Sequence, residues 1–149
     1  MSQTANTVAP KNMELATFYV GQALCGIDIL NIQEINKPSD VTTVPQAPEY
    51  VKGILNLRGR IVTILDLGKK LGLSEIEESK TNRNIIVRSG EEHIGLMVDS
   101  ISDVVTADMN RIEHSPSNMN GVKGKYFRGV LKTESNLVGI LDIQEVLKE

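Results

Sequence analysis

The stretch Gly53–Gly72, GILNLRGRIVTILDLGKKLG, carries an Arg-Gly pair at the waist of an apolar run and an aspartate near its end. Side chains alternate along a strand, so Ile54, Asn56 and Arg58 share one face of the first half while Leu55 and Leu57 take the other. Beyond the turn, Ile61, Thr63 and Leu65 oppose Arg60, Val62, Ile64 and Asp66. Both faces of this second strand are therefore largely apolar. A sheet covered on one side only shows a cleaner alternation, so something besides a single core must cover these side chains. The candidates are a second layer of the same chain and a partner protein.

The rest of the chain offers one candidate for a second layer, because it contains the pattern twice. FYVGQALCGIDILNIQEI aligns with VRSGEEHIGLMVDSISDV, pairing Gly26 with Gly95, Ile27 with Leu96, Ile29 with Val98, Ile32 with Ile101, Glu34 with Asp103 and Ile35 with Val104. Each pair is 69 positions apart, as 95 − 26 and 104 − 35 show. Farther on, VKGILNLRG at Val51–Gly59 resembles VKGKYFRG at Val122–Gly129, and VTILDLGKKLG resembles VGILDIQEVLK. This alignment gives the second copy one residue fewer before its Arg-Gly and six more in the hairpin that follows. So long a match exceeds chance periodicity.

Within each copy the signals are mainly those of strands. LATFYV and ALCGID flank Gly21-Gln22, and NIIVRS and HIGLMVD flank Gly90-Glu91-Glu92, two hairpin patterns. ILNIQEI and SISDVV each read as a helical turn entering another strand. Pro38, Pro45 and Pro48 isolate DVTTV as an edge or single strand. LGKKLG and IQEVLKE read as short terminal helices. About five short strands per copy predict an all-β chain of two small antiparallel barrels packed together. The first subdomain is expected at about 14–80 and the second at about 81–149, with the first strand open to sharing and residues 1–13 a loose tail. Val62 and Ile64 are expected at the contact between barrels or at a partner surface.

Bulk properties exclude several functions. At 149 residues and 40% hydrophobic content the chain can bury a real core. Its single cysteine, Cys25, excludes an intramolecular disulfide, and the polar start MSQTANTVAPKNME lacks the apolar centre of a signal peptide, which predicts a cytoplasmic protein. No apolar run approaches the ~20 residues that cross a bilayer, so membrane association has to come through another protein. A net charge of −3, no Lys/Arg stripe, 3% aromatics and no tryptophan argue against nucleic acid as a ligand.

Candidate chemistry is sparse. Asp28, Asp66, Asp99 and Asp142 recur after apolar strands. A carboxylate pair facing one cleft would permit a small hydrolase. The recurrence itself points instead to aspartates that accept backbone N–H bonds at turns. His93 and His114 lack partners at metal-ligand spacing, and no cofactor or metal is expected. Cys25, in an apolar strand, reads as an inert thiol. No nucleophile elbow, Walker loop or dinucleotide fingerprint occurs, so no catalytic residue is assigned. Arg58 admits two readings, a solvated turn residue or a guanidinium held by a carboxylate at the edge of an apolar surface. Glu34 is the candidate partner, and Asp103 with Arg128 offers acid and base at corresponding places in the second copy.

GIDILNIQEI at Gly26–Ile35 followed by VKGILNLRGRIVTILDL at Val51–Leu67 resembles the hallmark segments of the CheW-type chemotaxis coupling proteins, from about Met13 to the C-terminus. The resemblance implies one CheW-like domain over 1–149 made of two five-stranded SH3-like barrels. It also implies a non-catalytic adaptor that joins the cytoplasmic tips of chemoreceptors, the methyl-accepting chemotaxis proteins, to the regulatory domain of the histidine kinase CheA in membrane-associated arrays. Carried onto matching positions, it gives a receptor-binding surface of Ile32, Glu34, Ile35, Gly53, Asn56, Arg58 and Val104, with the Glu34–Arg58 pair fixing it. It leaves the kinase-binding residues unassigned.

Overall fold

Two hairpins are apolar on both faces, and the architecture follows from them. In the computed structural model, which describes residues 12–148, β1 (Asn12–Val20) and β2 (Ala23–Asp28) form the first; β6 (Arg83–Ser89) and β7 (Glu92–Val98) form the second. Leu15 and Leu24 of the first hairpin join one buried cluster, while Phe18, Val20, Cys25 and Ile27 join another. A hairpin buried on both faces has to be a wall between two packed spaces.

The remaining strands take up those walls crosswise. The first copy continues with β3 (Ile32–Asn36), β4 (Val51–Leu57) and β5 (Arg60–Asp66). The second continues with β8 (Ser100–Asp108), a short pair β9 (Asn118–Met119) and β10 (Val122–Lys123), then β11 (Phe127–Lys132) and β12 (Leu137–Leu141). The two five-stranded sheets run β11-β12-β2-β1-β8 and β3-β6-β7-β5-β4. Each sheet thus combines the hairpin of one copy with the last three long strands of the other. Parallel pairing stitches the exchange: Gly26 lies opposite Ile140 and Gly95 opposite Ile64. Single bridges from Thr42 to Ile54 and from Glu113 to Val130 bring the ends of each sheet together. The result is two SH3-like barrels, with short helices α1 (Leu67–Lys70) and α2 (Ile143–Leu147) following β5 and β12.

A division at about 80/81 with only the first strand shared does not describe these sheets. The whole hairpin is exchanged, because each of its strands has two apolar faces to bury. Asn12 and Met13, expected in the loose tail 1–13, pair with Asp108 and Ala107 on β8; residues 1–11 lie outside the described part. SISDVV enters β8 directly, without the helical turn expected of it, whereas ILNIQEI begins with a 3-10 turn at Ile29–Asn31.

Val62 and Ile64 are not at the contact between barrels. Both are 1% exposed and face their own barrel interior, where a Cβ on Gly95 would touch both side chains. Their counterparts Val138 and Ile140 pack with Met13, Leu15, Leu24, Ala107 and Leu131 inside the other barrel. The layer between barrels is built instead from the hairpins, Phe18, Cys25 and Ile27 clustering with Ile85, Val87 and Leu96.

The structure also corrects the alignment of the later segments. Gly53 pairs with Ile64 after a register shift from Val51, and Gly129 pairs with Ile140 after the same shift from Phe127. The spacing there is 76 (129 − 53, 142 − 66), and the stretches from glycine to aspartate have equal length. Val-Lys-Gly at Val51 therefore matches Phe-Arg-Gly at Phe127, and the seven added residues (76 − 69) fall in the region of β9 and β10. At Gly53 a Cβ would lie 2.4 Å from the Thr42 oxygen, and at Gly129 it would lie 2.7 Å from the Glu113 oxygen, each the partner of a barrel-closing bridge. Alanine at Gly53 or Gly129 is expected to cost about 1–3 kcal/mol by overpacking. Gly90→Ala, where a Cβ meets nothing within 4 Å at φ +62°, should cost about 1 kcal/mol from the left-handed backbone alone. Denaturant midpoints of the three variants test the ranking.

Candidate functional site

The hairpin between β4 and β5 turns on two residues, Arg58 at φ +53° and Gly59 at φ +84°, with Leu57 opposite Arg60. Positive φ at both central positions is the type I′ turn that suits the twist of a hairpin. Asn56 Oδ1 braces it by accepting from the Gly59 N–H at 2.8 Å. The β9–β10 hairpin is built alike, with Asn120 and Gly121 at positive φ and Asn118 Oδ1 accepting from the Gly121 N–H at 3.1 Å. Asparagine tolerates that backbone well, whereas a long side chain such as Arg58 incurs about 1–2 kcal/mol.

The strained position aims Arg58 at β3. Its guanidinium forks onto the Glu34 carboxylate, Nη1 donating to Oε1 and Nη2 to Oε2, the latter at 3.0 Å. Asn36 Nδ2 also donates to Oε2, at 3.0 Å. The Arg58 hydrogen bonds first, and that of Asn36 second, hold the Glu34 carboxyl below the usual carboxylate range; Glu34 in turn raises Arg58. With the Arg58 side chain 70% exposed, the pair stabilises the fold little, and its main effect is to fix geometry.

Behind the pair lies a recess of about 300 Å³ lined by Leu57, Val62 and Ile86 and rimmed by Gln33, Arg60 and His93. His93 bridges two copies of the repeat: its Nε2 lies 2.8 Å from Arg60 Nη1 and its Nδ1 2.5 Å from Gln33 Oε1. A guanidinium only donates, so Nε2 accepts from Arg60 and the Nδ1–H donates to Gln33, which assigns the neutral Nδ1–H tautomer. Gln33, Arg60 and His93 carried no sequence signal, because 60 residues separate Gln33 from His93 and no spacing rule links them.

Of the seven surface residues that the family resemblance implies, the structure joins Glu34 and Arg58 directly and puts Asn56 in the turn that presents Arg58. Ile32 is half-buried on β3, and Ile35 is 39% exposed. Val104, 60% exposed, occupies the repeat position of Ile35 on β8 in the other sheet. Gly53 is buried at the barrel closure. Acid and base do not recur as Asp103 and Arg128. Arg128 occupies the place of Lys52, and Glu134 stands where Arg58 does (134 − 58 = 76), so the second barrel has two acids at these positions.

The aspartates are occupied with backbone donors. Asp28 accepts from Leu30, Asp66 from Lys69 and Ile76, Asp142 from Glu145, and Asp99 from Gly21. Burial pushes the Cys25 thiol up to about 12, far from a thiolate at neutral pH. Among the described residues no cluster of three or more His, Cys, Asp or Glu is arranged for a metal, and no helix is long and apolar enough to cross a membrane.

A family model, that of the CheW-like domain, matches residues 14–149. The chain belongs to the CheW-like family. The chemotaxis protein CheW of Thermotoga maritima is 32% identical over 141 residues, 95% of this chain and 91% of that one. CheW of Bacillus subtilis is 30% identical over 134 residues, 90% of this chain and 86% of its own. The crystal structure of the scaffolding protein TtCheW from Thermoanaerobacter tengcongensis superposes with a TM-score of 0.85 at 30% identity, covering 95% of this chain and 92% of that one. The CheW-like fold thus carries the Glu34–Arg58 fork at one end of a barrel. Because the folded Glu34 carboxyl titrates below its unfolded value, its stabilising contribution is present above the ordinary carboxylate pKa and is lost as pH falls through the depressed one. Glu34→Gln should therefore melt below the parent at neutral pH, and the difference in Tm should vanish in acid.

Proposed function

We propose that this chain is a non-catalytic chemotaxis scaffold that couples chemoreceptor cytoplasmic tips to the regulatory domain of the histidine kinase CheA. The family match over residues 14–149 carries the proposal, supported by relatives named as chemotaxis proteins and a structural neighbour titled a scaffolding protein. On this reading the protein is cytoplasmic and reaches membrane arrays through its partners. Weak contacts suffice there, because an array multiplies them through effective concentration.

The receptor surface we propose comprises Ile32, Glu34, Ile35, Asn56, Arg58 and Val104, with Gly53 shaping the strand beneath it. Two exposed β-branched side chains, Ile35 and Val104, stand at equivalent positions of the two barrels, apolar anchors of the kind that seat a helical hairpin tip. The Glu34–Arg58 fork holds the polar rim beside Ile35. The hydrolase alternative loses its basis, since each strand-end aspartate is bound to backbone N–H groups.

NMR titration of the labelled chain with a receptor-tip fragment, and separately with the kinase regulatory domain, tests this. The receptor fragment is expected to shift Ile32, Glu34, Ile35, Arg58 and Val104, and the kinase domain a different set. Ile35→Asp and Val104→Asp, both at exposed sites, should each weaken receptor binding about tenfold or more while leaving kinase binding intact. Gly53→Asp is unsuited to this purpose, since its side chain would collide with the Thr42 carbonyl and disturb the fold. Unchanged receptor affinity in both exposed variants would remove this surface from the reading.

A further inference from the structure

The two barrels share a backbone plan but not an interior. Positions 13 and 82, 15 and 84, and 38 and 107 are equivalent, each pair 69 apart (82 − 13, 84 − 15, 107 − 38). In the barrel containing β12 they hold Met13, Leu15 and Ala107, which pack with Leu131, Val138 and Ile140. In the barrel containing β5 they hold Asn82, Asn84 and Pro38, and a cavity of about 450 Å³ opens there against Ile64, Ile76 and Met97. It lies apart from the recess beside Arg58, with which it shares no lining residue.

Asn84 is the unusual group in this cavity. It is 1% exposed, and its side-chain oxygen has no hydrogen-bond partner among the described residues. Asn82 beside it is committed, Oδ1 accepting from the Ser79 N–H at 2.9 Å and Nδ2 donating to the Asp99 carbonyl at 3.2 Å. A buried acceptor without a partner is a liability that the matching Leu15 avoids, so its presence calls for a donor. The charged side chains around the cavity are Asp40, Glu75, Glu78 and Lys52. Glu75 is engaged by Lys69 at 3.6 Å, which leaves Asp40 and Glu78 outweighing Lys52.

A buried, unpaired amide acceptor, an acidic excess and an apolar floor fit a ligand that donates hydrogen bonds, carries positive charge and has some apolar surface. We propose that this cavity binds a guanidinium or alkylammonium group, with Asn84 Oδ1 accepting from its N–H and Asp40 and Glu78 balancing its charge. The source is either a basic side chain of a protein partner or a free polyamine.

Titration of the ¹⁵N-labelled full chain with N-acetylargininamide and with spermidine, read at the backbone amides of Val41, Ile76 and Met97 around the cavity, tests the site and separates the sources. A saturable shift with the arginine derivative points to a basic side chain, and one with spermidine to a free polyamine; either supports the site. Asn84→Leu reproduces the residue of the sister barrel, so it should fold, melt no lower than the parent and lose the shift. Should that variant fail to fold, the exposed Asp40→Asn serves, with affinity expected to fall about tenfold. A neutral citrulline derivative should not bind. No saturable shift up to about 10 mM of either probe, equal binding of citrulline, or unaltered affinity in folded Asn84→Leu or in Asp40→Asn would overturn the proposal.

Discussion

The contact on which the rest depends is the layer where the two N-terminal hairpins meet, with Phe18, Cys25 and Ile27 from one and Ile85, Val87 and Leu96 from the other in a single buried cluster. Fully burying one such aliphatic or aromatic side chain is worth about 1.5–3 kcal/mol. Exposing these six would therefore forfeit about 9–18 kcal/mol, as much as the ~5–15 kcal/mol that keeps a domain folded. Because each hairpin also forms the wall of the barrel belonging to the other copy, neither copy can separate from its sister without each barrel losing two strands. The chain behaves as one body with two similar ends. That rigidity comes from the way apolar faces are shared between the two copies.

The Glu34–Arg58 fork depends on this frame. Arg58 occupies a left-handed backbone position that a glycine or asparagine would fill more easily. The turn is imposed by the pairing of β4 with β5 and braced by Asn56, so the strain is absorbed by strands that are themselves held by the exchanged hairpin. Strained residues of this kind persist where surrounding structure over-determines them and concentrate at functional positions. Glu34 on β3 and Arg58 in the β4–β5 turn both belong to the first copy, and the barrel closure at Thr42 and Ile54, which brings the end of β3 round to β4, sets the two charges side by side.

Much of this was legible in the sequence where the cause is local. Hairpins announced themselves through Gly21-Gln22 and Gly90-Glu91-Glu92, and the aspartates through their place before turns. Arg58 and Glu34 were readable as a pair because each is a charge beside apolar neighbours. The hairpin exchange was not legible, since alternation shows that a strand has two covered faces and cannot say which strand covers them. The equivalence of Arg128 with Lys52 is hidden for a related reason. Val-Lys-Gly occurs at both Val51 and Val122, and the literal repetition outweighed the true equivalence of Gly53 with Gly129, which is set by barrel closure against Thr42 and Glu113. The contacts of His93 with Gln33 and Arg60 arise from strand pairings invisible along the chain.

The repeat shows how a symmetric backbone acquires an asymmetric surface. Equivalent positions hold Leu24 and His93, Leu15 and Asn84, and Met13 and Asn82, the apolar member of each of these pairs lying in the barrel that contains β12, while Thr17 and Ile86 reverse the order. One interior is thus filled for cohesion, while the other carries polar groups at both of its ends, around His93 and around Asn84. Polar substitution inside a small barrel is tolerable when stability comes from elsewhere, and here the shared hairpin layer supplies it. The cost of buried amides such as that of Asn84 can then be carried without unfolding, leaving the polar barrel free to present distinct chemistry at each mouth. Cohesion in one barrel and the shared layer is therefore what permits specificity in the other.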